Sequence, residues 1–159
     1  MTITKIFQTS GDLLQFVLPT VVGVQDVAPD VQQGKYDKAG EKALKILVLI
    51  GVQRYSCKLI KKLAKKKRPD GSDFESFPSG HFMIGAQCLA RSCHRDGFPS
   101  VMAILVLMGT LTIGLGRYLP KKHDVVDLTA GGILGMGLGI LWNHWLNPGV
   151  PLVLPLQQN

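Results

Sequence analysis

Between Leu128 and Asn159 the chain carries no aspartate, glutamate, lysine or arginine, and the stretch from Gly97 to Gly116 carries none either. A helix wetted along one face needs charged residues there, so neither stretch reads as an ordinary surface helix. Each is long enough to cross a bilayer, which takes about 20 residues. Burial as a helix pair inside a soluble bundle is the other reading. Cysteine is scarce: Cys57, Cys88 and Cys93 are odd in number and irregularly spaced, which argues against a disulfide framework. No C-x-x-C pair is present, so a zinc site is not expected, and the three are read as small buried hydrophobes. Acidic residues are also few, 11 against 18 lysines and arginines, for a net charge of +7. That balance points to an anionic partner, unless the charge serves only solubility or membrane topology. The opening "MTITKIFQTSGD" lacks a signal-peptide pattern, because Asp12 arrives before any long apolar core. A secreted soluble enzyme is therefore not expected.

What the chain does have is apolar residues, 46% of the total, in helical patterns almost throughout. Asp12 to Asp26, "DLLQFVLPTVVGVQD", is interrupted by Pro19 and is expected to be a kinked or half-inserted helix. Val27 to Lys42 is polar and reads as a loop leading into a helix. A long amphipathic helix is expected from about Asp37 to Lys65. Arg68 to Pro78 reads as a loop, and a shorter helix should run from near Ser79 to the stop signals Gly97 and Pro99. The two uncharged stretches form the last helices. In the second, Gly131, Gly132, Gly135, Gly137 and Gly139 include small-xxx-small spacings that permit close helix packing. Trp142 and Trp145 stand near its end, where an interfacial belt would place them. The expected fold is all-α: a compact bundle of about five helices, membrane-embedded, forming a single domain over residues 1–159.

Three clusters can carry chemistry. "KKLAKKKRPD" holds six basic residues in eight positions, Lys61 to Arg68. Lys61 offers a point charge and Arg68 a forked donor to an oxyanion. The same run also reads as a nucleic-acid or anionic-lipid patch. Pro78-Ser79-Gly80-His81 follows. A Ser-Gly turn opening a helix exposes unpaired N–H groups that suit phosphate, and Gly80 lets a ligand approach the backbone. Ser79 can cap the helix or donate to a phosphate oxygen. The third cluster is "GRYLPKKHDVVD", containing Arg117, His123 and Asp127. His123 and Asp127 are four apart, so on a helix they share a face. A carboxylate so placed fixes the imidazole tautomer and aims the other nitrogen as nucleophile or base.

In this order and spacing, K-x6-R-P, P-S-G-H and R-x5-H-x3-D resemble the three-part signature of the type 2 phosphatidic acid phosphatase superfamily. That group also includes class A acid phosphatases and vanadium-dependent haloperoxidases. The resemblance spans Lys61 to Asp127. It implies that His123 attacks phosphorus to form a phosphohistidine, that Asp127 orients His123, and that His81 protonates the leaving oxygen and then activates water. Lys61, Arg68, Arg117, Ser79 and the Gly80 N–H would hold the phosphoryl oxygens. No metal or other cofactor is implied. One departure is visible: Gly116 stands where the family usually has serine. The family's membrane members commonly have six spans, whereas this chain shows two clear ones.

The expected function is a membrane-associated, metal-independent hydrolase of a lipid phosphomonoester or diphosphate. Its partners would be that substrate and membrane lipids, with no nucleic acid. Lys62, Lys65, Lys66 and Lys67 are expected to attract an anionic membrane surface rather than to take part in catalysis. His94 and His144 fall outside the motifs and are read as structural or interfacial. Two alternatives are a haloperoxidase-like enzyme and a non-catalytic membrane protein that binds anionic lipid. The resemblance implies an integral protein of a bacterial inner membrane with its pocket on the periplasmic face, while the charge count around the motifs favours the cytoplasmic face.

Overall fold

The computed structural model describes residues 2–148. It contains five α-helices, α1 (Ile3–Gln32), α2 (Tyr36–Ala64), α3 (Gly80–Asp96), α4 (Val101–Tyr118) and α5 (Val125–Leu146), and no strand among the described residues. The all-α bundle of about five helices is therefore what the chain forms. The end of the uncharged C-terminal stretch, beyond residue 148, lies outside the described residues.

The N-terminal third differs from expectation. α1 is one helix of 30 residues that continues past Pro19 and Pro29, and the polar segment Val27–Lys42 is mostly helical rather than a loop. A proline removes one backbone hydrogen bond, but it does not end a helix whose flanking turns are held by packing. Gly11 lies against the Ile113 backbone and Leu18 against Gly109, which clamps α1 on α4 ahead of Pro19, and Val22 is buried in the core just beyond it.

Glycine rows set the helix distances. A Cβ on Gly131, Gly135 or Gly139 of α5 would run into the carbonyls of Ser79, Met83 and Gln87 respectively. Both series advance by four residues, so α3 and α5 lie parallel and almost backbone to backbone. That is the use of the small-xxx-small pattern. In the same way Phe82 meets Gly114 and Thr110 meets Gly85, which makes α4 antiparallel to α3. The start of α3, the end of α4 and the start of α5 thus share one end of the bundle. Between the helices lies a core of Val22, Ile46, Ile84, Cys88, Val106, Ile113 and Trp142. Trp142 is fully buried, so it belongs to this core and not to an interfacial belt, while Trp145 is exposed. Cys57 and Cys88 are buried as expected, and Cys93 is partly exposed.

The far end is tied by charge. Arg91 donates to Asp26 of α1 (Nη2 to Oδ1, 2.7 Å) and to Asn143 of α5, and Arg95 reaches Asp26 at 3.2 Å. Ion pairing of this buried carboxylate fixes α1 to α3. Of the five helices, α4 and α5 are long and apolar enough to cross a membrane.

Candidate active site

The motif-bearing segments meet at the end of the bundle where α3 and α5 begin. α5 starts with a capping box: the Asp124 side chain accepts from the Asp127 N–H, and the Asp127 side chain accepts from the Asp124 N–H. His123 precedes this cap and is not on the helix, contrary to the expectation from its spacing. Its position is set instead by the preceding turn, in which the Arg117 carbonyl accepts from the N–H groups of both Lys122 and His123 at 3.1 Å. That turn brings His123 Nδ1 to 3.5 Å from Asp127 Oδ2. Both side chains are buried, and Nδ1 has no hydrogen-bond partner.

Asp127 is held from several directions. Its backbone carbonyl accepts from the Ser79 N–H at 3.0 Å, which pins the α3 entry to α5. Its Oδ1 accepts from Lys66 Nζ at 2.9 Å, and its Oδ2 accepts from the Ser76 hydroxyl. Lys66 also pairs with Asp124 at 2.5 Å. Lys66 was expected to face the membrane surface with Lys62, Lys65 and Lys67. It turns inward because the loop folds back: the Ser76 N–H donates to the Lys66 carbonyl, so both side chains arrive at Asp127 together. Lys62, Lys65 and Lys67 are exposed. Ser76 and Lys66 were missed in the sequence because neither lies at a motif position, and only loop geometry brings them in.

The phosphate-binding candidates gather around the two histidines. The charges of Lys61 and Arg68 bear on His123, and those of Arg117, Asp12 and Lys61 bear on His81. Lys61 donates to the Glu75 carbonyl, and Arg68 Nε pairs with Asp73 at 2.7 Å. Ser79 makes no cap bond to its helix; its Oγ is fully buried and unpartnered. Of the two roles open to Ser79, the helix cap is not the one it takes here. Gly80 is required by packing as well, since a Cβ there would stand 2.9 Å from Cys57 Sγ. Lys61, Gly80 and His81 line a cavity of about 320 Å3 together with Gln53, Cys57 and Glu75, and His123 is not among its lining residues.

Asp12 is the residue furthest from any sequence signal. It comes from α1, accepts from Arg117 Nη2, and stands 3.4 Å from His81 Nε2. An isolated aspartate in an apolar helix carries no motif, so no pattern could have found it.

The imidazoles are kept neutral. Burial, followed by the charge of Arg117, lowers His81 to about 4, with Asp12 acting the other way. Burial, followed by Lys61 and Arg68, lowers His123 to about 4. Lys61 is also lowered, chiefly by burial. A neutral His123 has a free nitrogen lone pair and is competent as a nucleophile. No group of three or more histidine, cysteine or carboxylate side chains arranged to hold a metal occurs among the described residues.

No solved structure matches the chain. The family model of the PAP2 superfamily matches residues 42–150, which takes in all three motifs, most of α2 and the whole of α3, α4 and α5. With the buried His123–Asp127 pair under the charges of Lys61 and Arg68 at one end of the bundle, and Arg117 beside His81, this match over most of its length shows that the chain belongs to the PAP2 superfamily.

Proposed function

We propose that the protein is a membrane-associated lipid phosphatase that hydrolyses a phosphomonoester or diphosphate through a phosphohistidine on His123. Membership of the PAP2 superfamily supports phosphatase chemistry at the general level. The observation that carries the finer reading is the His123–Asp127 pair, buried at 3.5 Å beside the charges of Lys61 and Arg68. With Nδ1 turned toward Asp127, the His123 Nε2 lone pair attacks phosphorus and the P–O bond to the leaving group breaks. His81 gives the leaving oxygen its proton. Water then attacks, the P–N bond breaks, and His81 takes the proton from water. His81 must be protonated for the first step, and a phosphate dianion beside it favours that form against the burial that opposes it. Lys61, Arg68, Arg117, Ser79 and the α3 N-terminus stabilise the charge on the equatorial oxygens. The reading includes one domain over residues 1–159 and an integral protein of a bacterial inner membrane, with α4 and α5 spanning.

The test is a phosphate-release assay of the purified protein on a panel of lipid phosphates and diphosphates in EDTA. Wild type should release phosphate, vanadate should inhibit, and His123→Ala should abolish turnover while Lys65→Ala changes it modestly. Comparable losses at His123 and Lys65, or activity lost to EDTA and restored by magnesium, would overturn the mechanism.

A further inference from the structure

His81, as general acid, must carry a proton, and most of its surroundings oppose one. Burial does so first, and the charges of Arg117 on α4, of His123 and of Lys61 on α2 act in the same sense. Asp12 of α1 acts the other way. Its Oδ1 stands 3.4 Å from His81 Nε2, at ion-pair distance, and also accepts from the Arg117 guanidinium. Backbone packing puts the carboxylate there. A Cβ on the adjacent Gly11 would stand 3.3 Å from the Ile113 Cα, and one on Gly116 would meet the Phe7 carbonyl. Those two contacts lock the register of the α1 turn that carries Asp12 against α4.

We propose that Asp12 is a positioning residue for His81, forming a second His–Asp pair beside His123–Asp127. The inference rests on the phosphatase reading and adds what holds the proton of its general acid. The Asp12 carboxylate accepts the Nε2–H, fixes the ring and stabilises the imidazolium, as an opposite charge at such a distance does. The proton given to the leaving oxygen is then the one on Nδ1. As the P–O bond to the leaving group breaks, that proton passes across, and His81 is left neutral with its Nε2–H still on Asp12. When water attacks phosphohistidine, Nδ1 takes a proton from it, the new P–O bond forms and the P–N bond breaks. The family match begins at residue 42, so Asp12 lies outside the matched region and is supplied by α1.

The experiment compares kcat/KM for two monoesters, which covers the steps through transfer to His123. Hexadecyl phosphate expels an alkoxide and needs the acid. A nitrophenyl phosphate with an alkyl tail of equal length expels a stable phenolate and does not. The ratio of the two values is the readout, because a change at Arg117 acts on both phosphoryl groups and cancels in it. At neutral pH, Asp12→Asn should lower the alkyl-to-aryl ratio about tenfold, the effect of about one pKa unit at His81. Asp12→Glu should restore most of it, and in a His81→Ala background Asp12→Asn should change it no further. A ratio that Asp12→Asn leaves alone, or lowers equally without His81, would overturn the pairing and leave Asp12 a partner of Arg117 only. Nitrogen NMR of the unaltered protein answers independently of variant folding: the neutral His81 ring should carry its proton on Nε2. A proton on Nδ1 instead would overturn the proposal. Wild type that hydrolyses neither ester sinks the phosphatase reading itself, a failure distinct from a wrong ratio or the wrong tautomer.

Discussion

Asp12 and Arg117 are 105 residues apart in the chain, and the Arg117 guanidinium donates to the Asp12 carboxylate. The same carboxylate oxygen stands 3.4 Å from His81 Nε2. One anion thus bridges a cation and an imidazole that are both expected to meet substrate phosphate, and it holds part of the charge that phosphate would use.

Asp12→Asn should therefore strengthen the binding of vanadate and inorganic phosphate, with inhibition constants falling about tenfold as a competing carboxylate is removed. Inhibition assays at neutral pH and fixed salt measure this. Weaker inhibition in the variant would mean that Asp12 orients Arg117 for the ligand rather than competing with it.

Lys66 and Ser76 should matter through Asp127. Each donates to one of its carboxylate oxygens, and such charge-assisted bonds are worth about 1.5–3 kcal/mol. Lys66→Ala is expected to lower kcat by about ten- to a hundredfold with little change in KM, while Lys62→Ala and Lys67→Ala, at exposed neighbours, stay near wild type. Steady-state kinetics of the three variants would expose a mistake if all lose activity alike. In that case the run would act as a patch of charge.

Gly116, the departure from the family pattern, has a packing cause. A Cβ there would collide with the Phe7 carbonyl and stand 3.0 Å from the Phe7 carbonyl carbon, so glycine is what lets the first turns of α1 lie on the end of α4. Gly116→Ser and Gly116→Ala should destabilise the protein similarly, by about 1–3 kcal/mol, as overpacking does. Thermal unfolding compares them. A stable and more active Gly116→Ser variant would show that the hydroxyl, and not the space, was what the position lacked.

Stability should fall with pH below neutrality. His123 is buried with its pKa lowered to about 4 from the ordinary 6.5, and His81 is lowered to about 4 as well. Between those values the unfolded chain binds protons that the folded one does not, so stability rises with pH across that window. The contribution is complete above about 6.5 and lost as pH approaches 4. Unfolding midpoints measured from pH 7 down to 4.5 should drop progressively, and His123→Gln should flatten the curve. A midpoint that stays level in wild type would mean that the rings are already protonated in the folded state.

The segments that carry the candidate site were legible in the sequence. Lys61, Arg68, Ser79, Gly80, His81, Arg117, His123 and Asp127 stand at fixed spacings because each group sits on a short local device: a helix end, a helix start or a single turn. Local devices are written in neighbouring residues. The R-x5-H spacing is one such device, a turn closed on the Arg117 carbonyl. Close packing along one face of α5 was legible too, because a glycine every fourth residue is a statement about one helix face, but the partner, α3, was not. The tertiary structure alone decided the rest. It carried α1 through two prolines, since packing on α4 outweighs a missing backbone hydrogen bond, and it set Trp142 in the core rather than at an interface. It turned Lys66 inward among five similar cations and brought Asp12 to Arg117. Those choices depend on which surfaces meet across long stretches of chain. The charge of a lysine or aspartate is the same wherever it stands, and only packing determines which opposite charge it finds.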